Sequence, residues 1–573
     1  MAWMLETIWG NRGMVRSQNY QTPETLVNRY TFTGGISTRG TSTTKDQRYV
    51  NLYQEVIDKE NLAMIKRPGL VQHAVITPGV GRGIFVFASK VYTCIGNTLY
   101  KDGVSFLTLT TSTGSIGFTE CTNQGAPAIF FCDGAEAWLI SFAGVATKIL
   151  NTYTAWTATT VHALGVFRRP TVENSLYYEV TTAGTTNATQ PTWPTTIGDT
   201  VTDGTIVWTC RAHYGGLPAA HIPTPVFING YIAIPRAASA DIYTCNADLP
   251  ISWNPSDFIT SEMFPDDIKA LARQNNQVVA FGEYGTEFFY DNGANQLTGS
   301  PLARNANTFL QIGTPAPFCL GQSEQNCYFI GVSQTGGRAV WKLDGFNASK
   351  ISTPSIERVI GEESGNIVSA TGYLVRLAGH FFFVICLQSR TLIYDTELNL
   401  WHEWSSAKQA TFTPGAINGS AVDINAINSG KPADIHSTTE FKWVYGTDTN
   451  TGEFYVLHKS TGQIAKFDLD AYVDVDQVIR CEVYTPILDF GDYNRKFLHR
   501  ITVVGDLATD IIFVRWSDDD YRTWSNLKYL SMSKRPVLHR LGSFRRRAFN
   551  IYYTDKAPLR LNGIEFQYTK SEV

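Results

Sequence analysis

The chain has 573 residues, 43% hydrophobic and 17% charged, with a formal net charge of −4; it is too long for one simple core and too apolar for disorder. That charge excludes a general nucleic-acid binder, which carries a basic excess. The strongest apolar run, residues 381–387, falls far short of the ~20 residues of a membrane helix, so a soluble chain is expected. Aromatics make up 13%, and 47 glycines sit singly at turns, a composition that favours β structure in two to four domains. The nine cysteines include no C-x-x-C pair and no Cys/His spacing of a zinc site. They read as reduced, buried thiols of a protein folded in a cytoplasm. The N-terminus MAWMLETIWGNRG lacks the charged start and apolar core of a signal peptide.

In chain order, residues 1 to about 48 are polar and turn-rich. A strand is expected at Val50 to Tyr53, a turn at Asp58 to Asn61 and a strand at Leu62 to Lys66, stopped by Pro68-Gly69. Then a unit of three short strands separated by tight turns recurs. It appears at Ile84 to Asp102, Pro127 to Gly144, Pro225 to Cys245, Ile268 to Gly293, Cys319 to Gly345, Val368 to Trp404 and Trp443 to Asp468. The clearest is IKALARQNNQVVAFGEYGTEFFYDNG. Val278, Val279, Phe281, Phe288, Phe289 and Tyr290 suit a half-buried pleated surface, and Asn and Gly serve the turns. Seven candidates at a period of ~40–50 residues indicate propeller blades, six or seven in number, in preference to paired β-sandwiches.

The series is interrupted between its second and third units. Residues 150–215 hold YYEVTTAGTTNATQPTWPTTIGDTVTDGTIVWTC and read as a small inserted β module at a rim. Residues 405–440, rich in Ala, Ser, Asn and Gly, read as a long loop. From Arg480 the alternation strengthens and a β-sandwich-like domain is expected. It carries 16 basic and 11 acidic residues against 31 and 40 in the rest of the chain, a mildly basic platform on an acidic body. The divisions are therefore 1–70 (N-terminal segment, partly joined to the platform), 71–149 and 216–479 (propeller), 150–215 (module) and 480–573 (C-terminal β domain).

Candidate chemistry is sparse. Ser517 to Trp524 approaches the Asp-box pattern S-x-D-x-G-x-T-W, with Ser517, Asp519, Thr523 and Trp524 in place and Tyr521 standing where the glycine belongs. In sialidases and other propellers such a box folds a hairpin turn and is not catalytic. Glu283, Glu287, Asp266, Asp267, Glu357, Glu362 and Glu363 are carboxylates without a context that pairs any two as acid and base. His402, between Trp401 and Glu403, reads as a packed strand-end residue. No H-E-x-x-H, G-x-S-x-G or phosphate loop occurs. No catalytic residue, metal or cofactor is expected. Arg540, Arg545, Arg546 and Arg547 form the one dense basic cluster, with Arg545 and Arg547 on one face of a strand and Arg546 on the other. Trp193 and Trp208 are either glycan or fibre contacts of the module or its small core.

Several of these stretches resemble one family. NLYQEVIDK with KRPGL (51–59 and 66–70), VVAFGEYGTEFFYDNG (278–293), GVSQTGGRAVWKLDGFNASKISTPSIERVI (331–360), WSDDDYRTWS (516–525) and HRLGSFRRRAFNIYYTD (539–555) are similar to segments of the tail nozzle or packaged-DNA stabilisation proteins of short-tailed bacteriophages. The inserted module resembles one grafted into various phage tail proteins. The resemblance covers most of 48–573, and the module and the 405–440 loop depart from it. It implies a non-enzymatic virion component of the tail, made in the bacterial cytoplasm. Such proteins form a homohexameric ring with a propeller per subunit, below the portal and an adaptor protein. The ring extends the DNA channel, retains packaged DNA and opens at ejection. Partners implied are other copies of the chain, the adaptor, phage DNA passing without sequence specificity, and as an open further case tail fibres or tailspikes. The competing expectations are a propeller-type glycan hydrolase and a glycan-binding adhesin.

Overall fold

The computed structural model describes residues 24–37, 47–56, 62–293, 299–323, 325–406, 441–448, 452–508 and 511–571. The Asp58 to Asn61 turn, nearly all of the 405–440 loop and most of the first 48 residues lie outside them. Among the described residues, seven antiparallel blades follow one another: blade 1 (81–108), blade 2 (117–148), blade 3 (226–260), blade 4 (270–310) and blade 5 (320–350) are separate four-stranded sheets, while blade 6 (371–404) is one end of a nine-stranded sheet and blade 7 (443–468) one end of a six-stranded sheet. The fourth strand of blade 7 is Gly69–Val75, which pairs antiparallel with Gln463–Asp468. Strands from the two ends of the series thus close the ring. The first strands of neighbouring blades touch all the way round, including Trp443–Asp448 against Gly81–Phe87. The architecture is mainly β and the ring is a propeller.

The alternating pattern places the core between blades. In blade 2, Phe130 and Leu139 face blade 3 residues Ile232, Ile234 and Trp253, while Ile129, Phe131 and Ile140 face blade 1 residues Tyr92, Cys94 and Leu99. Both faces of each blade are buried, which is why the strands read as near-continuous apolar runs. The strands taper towards the axis, where backbones crowd. A Cβ at Gly117 would lie 2.1 Å from the Pro223 carbonyl oxygen, and one at Gly446 would lie 2.5 Å from the Phe454 ring. Blade 4 shows the expected turn chemistry. Asn275 and Asn276 both take positive φ, 47° and 57°, between Ala270–Gln274 and Gln277–Phe281, as a two-residue hairpin requires.

Two sequence expectations are corrected here. Each recurring unit was read with three strands, whereas the blades have four; short or half-exposed ones such as Ala146–Lys148 lack the apolar run that betrays a strand. The tail of blade 5 contains a helix, Pro354–Glu362. Thr353 caps it through its side chain and Pro354 opens it, while Ile356, Val359 and Ile360 bury the apolar face.

Outside the ring, two facing sheets form a sandwich around Tyr49, Leu52, Met64, Ile501, Phe549, Ile564 and Phe566. It draws on both ends of the chain. Leu26–Thr31 and the hairpin Leu52–Val56 with Leu62–Lys66 pair with Arg560–Lys570, which in turn pairs with Lys496–Gly505. The other sheet runs Arg48–Val50, Cys481–Tyr484, Ala548–Tyr553, Ile511–Ser517 and Lys528–Ser531, and it is continuous with blade 6 because Arg48–Val50 also pairs with Leu400–Trp404. The single strand expected at Val50 to Tyr53 is divided. Asn51, at φ 56°, turns the chain so that Arg48–Val50 enters one sheet and Leu52–Val56 the other.

Candidate functional site

The basic cluster lies on the sandwich but not on one regular strand. Ser543–Phe544 ends and the chain bends at Arg545 and Arg546 before Ala548–Tyr553 begins. The strict alternation expected for these arginines therefore fails. Arg545 and Arg540 are exposed, Arg546 is half-buried and Arg547 is 2% exposed. Arg547 grips Asp518 through Nε and Nη2 (2.6 and 2.8 Å), donates to the Leu541 carbonyl (2.7 Å) and lies over the rings of Phe544 and Trp516. Such a group cannot reach a partner, and it is corrected from contact residue to support. Arg546 pairs with Asp520. Arg545 donates to the Tyr493 carbonyl (2.9 Å).

The partners of these arginines come from the Asp-box-like turn. Asp519 accepts from Ser517 Oγ (2.9 Å), from the Thr523 amide (2.8 Å) and from Thr523 Oγ1 (2.5 Å), and these bonds hold its carboxyl below the usual range despite the opposing effect of partial burial. Asp520 and Tyr521 take φ of 60° and 65°; Tyr521 bears this strain where the pattern has glycine, and its hydroxyl donates to the Thr485 carbonyl (2.8 Å). Trp524 lies beside Tyr484 and under the Arg515 guanidinium. The box is a built turn. It meets the bend at 545–546 to form a polar cleft of about 380 Å³, lined by Tyr493, Arg495, Arg522, Ser543, Arg545 and Arg546 together with Asp518 to Asp520. Arg495 and Arg522 were not singled out as site residues from the sequence, because only the fold brings them beside Arg545.

A second polar assembly joins sandwich to propeller, and it is built from the NLYQ and KRPGL stretches. Arg67 makes a two-pronged bond to Asp474 (2.8 and 2.5 Å) and donates from Nε to Asn51 Oδ1 (2.9 Å), with its guanidinium 4.9 Å from the centre of the Phe441 ring. Asn51 also donates to the Ser405 and Arg480 carbonyls (3.0 and 2.7 Å) and accepts from the Ser405 amide (2.9 Å). Arg48 pairs with Glu403 (2.5 Å), which also takes Arg390 (3.2 Å). Lys66, 1% exposed, donates to the Asp555 and Ala557 carbonyls, and burial lowers its pKa. All this is buried, so its role is to fix geometry. His402, on the same strand as Glu403, is fully buried, and neither ring nitrogen has a partner among the described residues. Burial pushes its pKa down to about 4.

In the module, the strands Leu176–Thr182 and Ile206–His213 form the centre of a four-stranded sheet. Trp208 is 0% exposed, and its indole N–H donates to Asp203 Oδ2 (3.2 Å), which also accepts from Trp156 (2.7 Å). Trp208 is core, and its candidacy as a surface contact is corrected on that ground. Trp193 is partly buried, 4.3 Å from the Tyr178 ring.

Three of the remaining carboxylates, Asp266, Asp267 and Glu283, line one pocket of about 310 Å³ with Tyr284 and Gln334. Asp266 accepts from the Tyr284 and Gly285 amides, and Glu287, 1% exposed, takes Arg304 and Ser261. Among the described residues no group of three His, Cys, Asp or Glu is placed to hold a metal ion, and no helix is long and apolar enough to cross a membrane. All nine cysteines are buried and none forms a disulfide. The propeller axis holds a cavity of about 250 Å³ lined from blades 1, 2, 4, 5, 6 and 7 and from the segment 223–225 that leads into blade 3, with Phe85, Phe118, Pro225, Phe318, Leu320 and Tyr445 on its walls and no charged residue.

Comparison with known proteins places part of this chain. Residues 221–414, blades 3 to 6, match the family model Phage_stabilise, described as Bacteriophage P22 Gp10, beta-propeller. The tail hub protein gp10 of Salmonella phage P22 is 27% identical over 137 residues, 24% of this chain and 29% of that protein. The chain thus aligns with less than a third of that relative's length. Among solved structures, a streptogramin B lyase matches 70% of this chain and 98% of its own with 10% identity and a TM-score of 0.35. A chain of a S. cerevisiae complex of dbp5, nup159 and gle1 matches 73% and 98% with 10% identity and a TM-score of 0.32. Neither superposition is close enough to assign a function.

Proposed function

We propose that this chain, whose residues 221–414 match the family model Phage_stabilise, is a structural subunit of a bacteriophage tail: a nozzle that assembles as a homohexameric ring below the portal and adaptor, retains packaged DNA and opens at ejection. The observation that carries the reading is the family match across four consecutive blades. The geometry adds support. An axial cavity of about 250 Å³ has no room for a duplex whose major groove alone is ~12 Å wide. The DNA path therefore belongs on the axis of a ring of subunits, where an acidic to neutral wall lets phosphates slide instead of binding. The sandwich, rigidly joined to the ring, is the platform that meets the adaptor, with Arg540, Arg545 and Arg546 at its face and Arg547 holding the turn behind them. The role is non-enzymatic, and the inserted module at the rim is the place for a fibre or tailspike contact.

Native mass spectrometry and negative-stain imaging of the purified protein, with and without adaptor rings, test the proposal. A six-fold ring with an axial channel, alone or on the adaptor, is expected. A stable monomer that ignores the adaptor would sink it.

A further inference from the structure

The cleft on the sandwich carries charges of two kinds. Some are spent within the fold. Asp518 takes two donors from Arg547, Asp520 pairs with Arg546, and Asp519 is held by Ser517 and Thr523. Others face the opening. Arg495 and Arg522 are exposed, and their guanidinium groups have no acceptor among the described residues. Arg545 donates to the Tyr493 carbonyl and is otherwise exposed. Lys496, directly behind, is fully buried against the carbonyls of Asp492, Asn494 and Arg545, so the wall that carries these arginines is stiff.

We propose that this cleft is a socket for an acidic segment of a partner protein, whose carboxylates are received by Arg495, Arg522 and Arg545. The guanidinium fork matches a carboxylate with two parallel bonds. Asp518 and Asp520 are already paired with Arg547 and Arg546, so the charge left to the opening is that of Arg495, Arg522 and Arg545. A volume of about 380 Å³ suits a few side chains, and Tyr493, 60% exposed at the rim, is of the type enriched at protein interfaces along with arginine. The inference rests on the reading of the sandwich as a docking platform and not on the ring.

The test is binding of a fluorescent oligo-glutamate peptide to the full chain, read by anisotropy at several salt concentrations. Saturable binding is expected, weakened roughly tenfold in the double variant Arg495→Glu, Arg522→Glu. The charge-matched pair Lys534→Glu, Arg535→Glu, which does not line the cleft, should bind as the parent does. Both variants are first checked for a parental melting profile; the Arg495 and Arg522 side chains are exposed, so a parental profile is expected. No saturable binding, an equal loss in both variants, or displacement of the peptide by duplex DNA overturns the proposal. The same variants mixed with adaptor rings separate the levels. Adaptor binding that survives while peptide binding is absent overturns the socket alone, and absence of adaptor binding in the parent removes the platform reading with it.

Discussion

Arg67 shows how one residue can hold two parts of a molecule together. Its guanidinium is desolvated, and every donor direction that matters is answered by Asp474, Asn51 or a backbone carbonyl. Removing one partner of such a pair leaves a buried charge uncompensated, at a cost of about 3–5 kcal/mol. Arg67→Met should therefore lower the unfolding free energy by about that amount in denaturant titration, while Arg522→Met, at an exposed site, should change it by less than about 0.5 kcal/mol. Histidines give the molecule a pH response of definite sign. His402 stays neutral in the fold because burial pushes its pKa to about 4, whereas the unfolded chain takes up the proton near 6.5. Its stabilisation is complete above about pH 6.5 and is lost as the pH falls towards about 4. His458, also pushed down to about 4 by burial, adds to the same slope. His380 works the other way: the hydrogen bond to Asp395 raises its pKa, so its contribution is present below about 6.5 and fades as the pH rises through the folded value. His402→Phe should flatten the acid limb of stability against pH, by up to about 3 kcal/mol between pH 6.5 and 4.

At the scale of the element, the ring depends on one borrowed strand. Gly69–Val75 lies some four hundred residues from its partner Gln463–Asp468, so closure is a long-range event that carries a large loop-closure entropy. Leu70 is 0% exposed and sits where blades 6 and 7 meet the sandwich, beside Trp404 and Phe467. Leu70→Ala should cost about 2–5 kcal/mol by the cavity it leaves, read as a lower melting temperature. The first strands face a different limit, which is space near the axis. Gly117→Ala forces a Cβ against the Pro223 carbonyl oxygen at 2.1 Å, so backbone must shift. A loss of stability is expected there, whereas Gly337→Ala, which meets nothing within 4 Å, should be neutral.

Propeller and sandwich have separate cores but share one continuous frame. A nine-stranded sheet passes from blade 6 through Arg48–Val50 into the sandwich, and the Arg48–Glu403 and Arg67–Asp474 pairs bury its seam. Two domains joined this way should unfold together. Calorimetry of the full chain should show one transition, with near- and far-ultraviolet dichroism coinciding; two separated transitions would show that the seam does not couple them. In the proposed nozzle this shared sheet and its buried pairs favour opening by movement of whole subunits or of loops.

The strands, the turns and the repeat were legible in the chain itself, because apolar runs bounded by Asn and Gly report local backbone preference and burial on both faces. The Asp-box turn was legible for the same reason: its hydrogen bonds run between residues within a few positions of one another, from Ser517 to Thr523. The helix at Pro354 was written in Thr353 and Pro354 but passed unread. What local pattern does not encode is which distant segments meet. Asn51 looked like one more strand residue until its positive φ sent the chain into two sheets. Trp208 and Arg547 carry chemistry suited to a surface, and only the tertiary structure buries them against Asp203 and Asp518. The closing strand and the cleft of Arg495, Arg522 and Arg545 were decided at that level too, because burial and proximity belong to the packed whole and not to neighbours along the chain.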